Sequence, residues 1–209
     1  MSASRSARLL PWTGPLFVIV FVIAGFVLTG NTPGEKASAE KVMAYYHSHK
    51  NGTIAAAALA PLGVLLVVLF FSYLRSLARE RGATGVGPTV MMAGAILWGS
   101  ALLLSCTIDF ALVSSSDHHQ GQVAQTMNVF SNAFWLPFTA GVGLALIGAG
   151  AVILTTRVLP VWLGWYAVVV GVVTCAGPGG FIGFFGFPLF LLVAGLMLAF
   201  RKSSAPAAV

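Results

Sequence analysis

The sequence predicts an all-α, polytopic transmembrane helical bundle of six spans, with N- and C-termini cytoplasmic and a short amphipathic outer helix between spans 1 and 2. Three observations predict it. Apolar residues make up 58% of the 209-residue chain and charged residues only 8%, against roughly a quarter charged in soluble domains. The apolar residues collect into runs of about 20, the length that crosses a hydrocarbon core of about 30 Å. Lysine and arginine fall at the ends of those runs, with a strong bias to one side.

The runs cover residues 11–30, 54–74, 88–113, 123–154, 160–176 and 180–200, and leave no room for a separate soluble domain, so residues 1–209 form a single integral membrane domain. The fifth run is short, and the tract Pro178-Gly179-Gly180-Phe181 leaves almost no loop before the sixth. Five spans plus a re-entrant piece is the alternative count, since such pieces occur only where protein covers them. The net charge of +6 is scattered rather than gathered into a patch, which excludes nucleic acid as a partner. It sets topology instead. With the N-terminus inside, Arg5, Arg8, Arg75, Arg79, Arg81, Arg157, Arg201 and Lys202 are cytoplasmic, and Lys36, Lys41 and Lys50 are outside. All four histidines and four of the five acidic residues then fall on or near the outer face.

Arg5 and Arg8 before an apolar run, with Ala37-Ser38-Ala39 beyond it, have the outline of a signal peptide. The run is too long for one, and Gly34-Glu35-Lys36 separates it from the cut. Pro11, Pro88 and Pro160 each suit a first helical turn, where a missing N–H costs nothing, and Trp12 and Trp162 beside them are interface anchors. Ser38 reads as an N-cap with Glu40 in the first turn, opening a helix to about Lys50. Val42, Tyr45, Tyr46 and His49 fall on one side of it, so it is expected along the outer interface with its aromatics at headgroup level. Asn51-Gly52 then turns the chain inward; Asn51-Gly52-Thr53 is also a glycosylation sequon abutting the membrane. In the second span Pro61 is read as a kink, and Arg75, Arg79 and Arg81 as a basic inner anchor for lipid headgroups. Gly141, Ala145 and Ala149 in the fourth span, and Gly164, Ala167, Gly171 and Cys175 in the fifth, repeat at three and four residues as close-packing faces.

Asp109 is the one carboxylate embedded in an apolar run. Ser105 and Cys106 precede it on the same helical face, and Gln125, Asn128, Asn132, Trp135 and Thr139 make a polar stripe on the next span. The expected polar pocket is Asp109, Asn128, Asn132, Ser105 and Gln125, with Asp109 hydrogen-bonded to the asparagines and Pro137 below them as a kink. Its functional reading is a proton- or cation-binding group in an outward cavity; its structural reading is a carboxylate reaching water or capping a neighbouring helix. His47 and His49 in the first outer loop, with Asp117, His118 and His119 in the second, are candidate ligands for an outer-face divalent metal. His47 and His49 point about 200° apart on a helix, so such a site takes one ligand from each loop. Cys106 and Cys175, both near outer helix ends, are either a disulfide or two packing thiols. No other cofactor is expected. Phosphate loops, dinucleotide fingerprints and nucleophile elbows are missing from the sequence, and an enzyme is not expected.

The stretches Val27-Leu28-Thr29-Gly30-Asn31-Thr32-Pro33, Ser38-Ala39-Glu40 with Tyr45-Tyr46, Asn128-Val129-Phe130-Ser131-Asn132 and Leu159-Pro160-Val161-Trp162-Leu163-Gly164-Trp165 resemble a group of uncharacterised small multipass membrane proteins common in actinobacteria. The resemblance covers most of the chain and implies a plasma-membrane helical bundle; it carries no catalytic residue. Three functions follow as expectations: a non-enzymatic accessory or structural component whose partners are the bilayer and another membrane protein or a second copy; a small ion- or proton-coupled transporter using Asp109; and an outer-face metal or redox protein.

Overall fold

The computed structural model describes residues 9–176 and 180–201. Arg5, Arg8, Lys202 and the Pro178-Gly179 half of the tract before the last span lie outside the described residues. The described chain is helical, with no strand among those residues. Five of its helical stretches are long and apolar enough to cross a membrane: Leu10–Leu28, Lys50–Glu80, Gly87–Asp117, Gly121–Thr156 and Gly180–Ala199. Helices are what lipid permits, because no water is present to satisfy a free backbone N–H or C=O.

The first stretch is composite. A 3-10 turn over Leu10–Trp12 carries Pro11, α1 runs Thr13–Val22, and the helix then widens into a π turn over Ile23–Leu28. Thr29 Oγ1 donates to the Gly25 carbonyl at 3.0 Å and the Ala24 carbonyl at 3.3 Å, satisfying groups that the wider turn leaves. Gly30, at φ +60°, ends the helix. α2 (Ala39–Ser48) starts at Ser38, whose hydroxyl accepts from the Lys41 N–H at 3.4 Å. Its apolar side is turned into the protein rather than laid along the interface: Val42 and Tyr46 are buried in one cluster with Ile108, Leu112 and Ala124.

α3 (Lys50–Glu80) follows after His49 alone. Asn51-Gly52 therefore lies inside a helix and is not the expected turn. Glycine is required at 52 for another reason: a Cβ there would collide with the Leu28 carbonyl at the end of the first stretch. α4 (Gly87–Asp117) extends a turn past the expected end, with the Ser115 and Ser116 hydroxyls bonded back to Ala111 and Leu112 carbonyls, each at 2.8 Å. His119, at φ +54°, turns the chain.

The fourth predicted run is two helices, α5 (Gly121–Ala133) and α6 (Trp135–Thr156), broken at Phe134. Pro137 explains the position of the break, since a proline ring clashes with the carbonyl four residues earlier, here that of Ala133. α7 (Val161–Cys175) is apolar but only 15 residues long, with Pro160 at its N-cap rather than in its first turn. α8 (Gly180–Ala199) carries Pro188 inside it.

α4 and α6 approach to backbone contact. A Cβ on Gly94 would overlap the Ala145 backbone, and one on Gly141 or Gly148 the backbone of Trp98 or Met91. The opposite side of α6 meets α7 through Gly143 and Gly171. Across the bundle the filling is aromatic: Phe70, Phe71, Phe187 and Phe190 are buried between α3 and α8. At one end of the bundle, Arg81 Nη1 donates to the Arg157 carbonyl at 2.6 Å and Arg201 Nη1 to the Val158 carbonyl at 3.2 Å. At the other end Lys50 Nζ lies 2.5 Å from Asp117 Oδ2.

Replacing Gly94 with leucine forces α4 away from α6, and overpacking of this kind costs about 1–3 kcal/mol. The expected result is a clearly lower melting temperature in detergent. Gly34→Ala, where the added methyl meets nothing within 4 Å, leaves it unchanged; equal melting of both variants with the parent contradicts the packing account.

Candidate functional site

A cavity of about 850 Å³ occupies the half of the bundle nearer the histidines. The π turn, the first half of α3, the second half of α4, the start of α6 and the start of α8 enclose it. Its deep end rests on Phe17, Trp98 and Phe187, whose rings lie 5.4 to 6.1 Å apart. Small residues on α3, Ala56, Ala57, Ala60 and Gly63, make the space on one side. The walls are largely apolar, with hydroxyls from Thr29, Ser105, Ser131, Thr139 and Thr174 at intervals.

Asp109 lies in this wall with Ser105 and Cys106 one turn before it. Eight residues separate Asp109 from the tip of α4 at Asp117, a depth of about 12 Å at 1.5 Å per residue. It is the sole charged side chain among the cavity-lining residues, and no hydrogen bond or ion pair joins it to another described residue. Beside it on α2, burial first and the Asp109 charge second raise the Tyr45 and Tyr46 hydroxyls above the ordinary tyrosine range. Both stay protonated at neutral pH, and Tyr45 donates to the Thr29 carbonyl, tying α2 to the end of the π turn.

The expected bond between Asp109 and the asparagines does not form. Asn128, only 1% exposed, donates through Nδ2 to the Gly34 carbonyl at 3.0 Å, and Asn132 Nδ2 donates to Pro33 at 3.1 Å and to Asn128 at 2.8 Å. The pair therefore latches the connection between α1 and α2. Gln125 is exposed; of the five residues expected together, Asp109 and Ser105 line the cavity, and Asn128, Asn132 and Gln125 lie outside its lining. The break at Phe134 is the cause: it separates the part of the stripe on α5 from Thr139 and Trp135, which line the cavity from α6.

The thiols of Cys106 and Cys175 are both free. Cys106 faces the cavity and Cys175 packs against Gly143, so the considered bridge is not made. Among the described residues no three His, Cys, Asp or Glu side chains gather as a metal set. His47 Nδ1 does approach Asp117 Oδ1, at 3.7 Å, pairing α2 with the end of α4, but the Lys50 ammonium holds the other oxygen. His49 stacks on Tyr45 with 4.3 Å between rings, and His118 Nδ1 lies 2.8 Å from the Ser114 carbonyl. His119 is exposed in the turn.

The mouth of the cavity was not anticipated from the sequence. Phe181 and Phe184 line it while remaining 72% and 46% exposed. Phe184 packs against Phe21 at 5.1 Å and Phe26 at 6.4 Å, bridging the π turn and α8. Comparison with known proteins finds no matching family model, no matching curated protein and no matching solved structure.

Asn128→Ala removes a buried donor while the Ala37 N–H still donates to the Gly34 carbonyl at 3.0 Å, so the loss is that of one net hydrogen bond, about 0.5–1.5 kcal/mol; the expected readout is faster amide exchange across 29–38 together with lower stability. The tyrosine environment predicts alkaline sensitivity. The folded state holds the Tyr46 proton more tightly than the unfolded chain, so stability is intact below the ordinary tyrosine pKa, about 10, and falls as pH climbs above it. A Tyr46→Phe variant should show a shallower decline, Tyr45 retaining its own share; an alkaline unfolding profile identical to the parent's refutes the assignment.

Proposed function

We propose that the chain is a six-segment integral protein of the plasma membrane, non-enzymatic, whose role is to hold a bilayer-dissolved amphiphile in the cavity. The arginine end is cytoplasmic in this reading and the histidine end outside, in accord with the distribution of Lys and Arg. α7 is the sixth segment. At about 22 Å it is shorter than the hydrocarbon core, and its close packing on α6 supports its place within the bundle.

One observation carries the binding role: Phe181 and Phe184 belong both to the cavity wall and to the outward surface of the bundle. At that depth the surroundings are acyl chains, so the way in is lateral. π turns occur often at functional sites, and this one forms the opposite jamb. The cavity size also falls in the range of small-molecule sites, about 300–1,000 Å³. Its titratable lining groups are Asp109 and Cys106, which supports binding over covalent chemistry. A carrier coupled to ions or protons through Asp109 is the second reading, favoured by the carboxylate's position inside the cavity.

Trp98 reports on occupancy. It is 6% exposed at the cavity floor, whereas Trp12, Trp135, Trp162 and Trp165 are 39–57% exposed, so phenylalanine at those four positions leaves Trp98 as the single emitter. In phosphatidylcholine nanodiscs, 12-bromododecanol should quench Trp98 saturably, and Ala60→Phe, which fills the cavity, should remove the saturable component. Quenching that rises linearly and ignores Ala60→Phe is ordinary collision in lipid and defeats this reading.

A further inference from the structure

We propose that the cavity selects a lipophilic cation, a quaternary ammonium or amine head on an apolar body, with Asp109 as its counter-ion. The proposal rests on the reading of the cavity as a site for a bilayer-borne molecule and supplies that molecule's chemistry.

Charge comes first. An unpaired carboxylate at membrane depth is costly, and such groups ordinarily pair with one another or with a cation. Among the described residues the cavity wall supplies no cation: Asp109 shares it with hydroxyls, a thiol and apolar side chains, and none of the described lining residues is Lys, Arg or His. Lys50, at the start of α3, is held by Asp117 at 2.5 Å, two helical turns beyond Asp109 along α4. The charge that completes Asp109 therefore comes with the ligand.

The walls suit the same head group. Phe134 at the break and Phe138 in the first turn of α6 line the same cavity as Asp109, and ring faces attract desolvated cations, quaternary ammonium groups above all. The dimensions suit an alkyl or polycyclic body. Asp109 and Trp98 are eleven residues apart on one helix, about 16 Å, with Leu102 and Ser105 between them on the cavity side. A head at Asp109 thus sets its body along α4 down to the aromatic floor. A zwitterionic phospholipid fits less well, since its phosphate would enter a cavity whose described lining residues include no cationic side chain. An anionic amphiphile is repelled.

The Trp98-only protein in phosphatidylcholine nanodiscs tests this with three probes that share one chain: 12-bromododecyltrimethylammonium, 12-bromododecanol and 12-bromododecyl sulfate. The cation is expected to saturate at a concentration about tenfold or more below that of the alcohol, and the sulfate not to saturate. Asp109→Asn should bring the ratio of alcohol to cation midpoints down to about one, and Asp109→Glu, the control for folding, should keep it well above one. Equal midpoints for cation and alcohol in the parent protein, or an unchanged ratio in Asp109→Asn, overturns the cation proposal while leaving the cavity a neutral-ligand site. Saturation by none of the probes overturns the binding role itself, and this proposal with it.

Discussion

The backbone contact between α4 and α6 sets the shape of the bundle. Inside lipid no hydrophobic drive pulls helices together, so association comes from van der Waals packing that small residues permit. Gly94, Gly141, Ala145 and Gly148 place two backbones against each other, and Gly143 and Gly171 bring α7 equally close on the far side of α6. Three helices thereby form a dense slab. The remaining helices carry large aromatic residues at their contacts, with Phe70, Phe71 and Phe190 filling the arginine-side half. Toward the histidine end α3 supplies only Ala56, Ala57, Ala60 and Gly63. Small residues there meet no backbone partner and leave a void. The same residue types that close the slab open the cavity, according to whether a facing helix comes near.

Two local irregularities border that void. The π turn of the first span and the break before Pro137 both lie on its margin. Each redirects side chains that a straight helix would place elsewhere: the turn brings Ala24, Gly25 and Thr29 to the wall, and the break puts Phe134, Phe138 and Thr139 there. Above them α2 and the connection 31–38 form a cap, held by the Asn128 and Asn132 amides and by Tyr45. Backbone carbonyls of a short connection need partners when water is scarce, and the asparagines meet that need. Their polarity serves the cap, and Asp109 stays unpaired as a result.

Much of this was legible in the sequence. Composition and run length give a membrane bundle, Ser38 marks the start of α2, and the repeats of small residues in the fourth and fifth runs identify α6 and α7 as close-packed. Helical spacing placed Ser105 and Cys106 with Asp109, and counting further back in threes and fours reaches Leu102 and Trp98, the signal for the aromatic floor. The partners of Asn128 and Asn132 were not legible, because a stripe read at a constant 100° per residue cannot register the interruption that Pro137 imposes. The π turn was equally hidden; a threonine hydroxyl bonded to its carbonyls accompanies it, and leaves no periodic trace. Asn51-Gly52 carried a turn signal in composition alone, while the close approach of Leu28 is what requires the glycine.

The two carboxylates of α4 show how position sorts identical chemistry. Asp117, at the helix tip, has a lysine and a histidine within 4 Å, and such an exposed pair contributes little to stability. Its consequence is spatial: it anchors the start of α3 to the end of α4 and keeps the Lys50 ammonium at the rim. Asp109, about 12 Å deeper, is left facing aromatic rings and hydroxyls. Had Lys50 reached inward, the cavity would be electrically closed, an internal ion pair with no net charge to recognise anything. With Lys50 committed at the surface, Asp109 is the one charge among the described lining residues, set in largely apolar walls where a matching ligand charge counts for more than it would in bulk water.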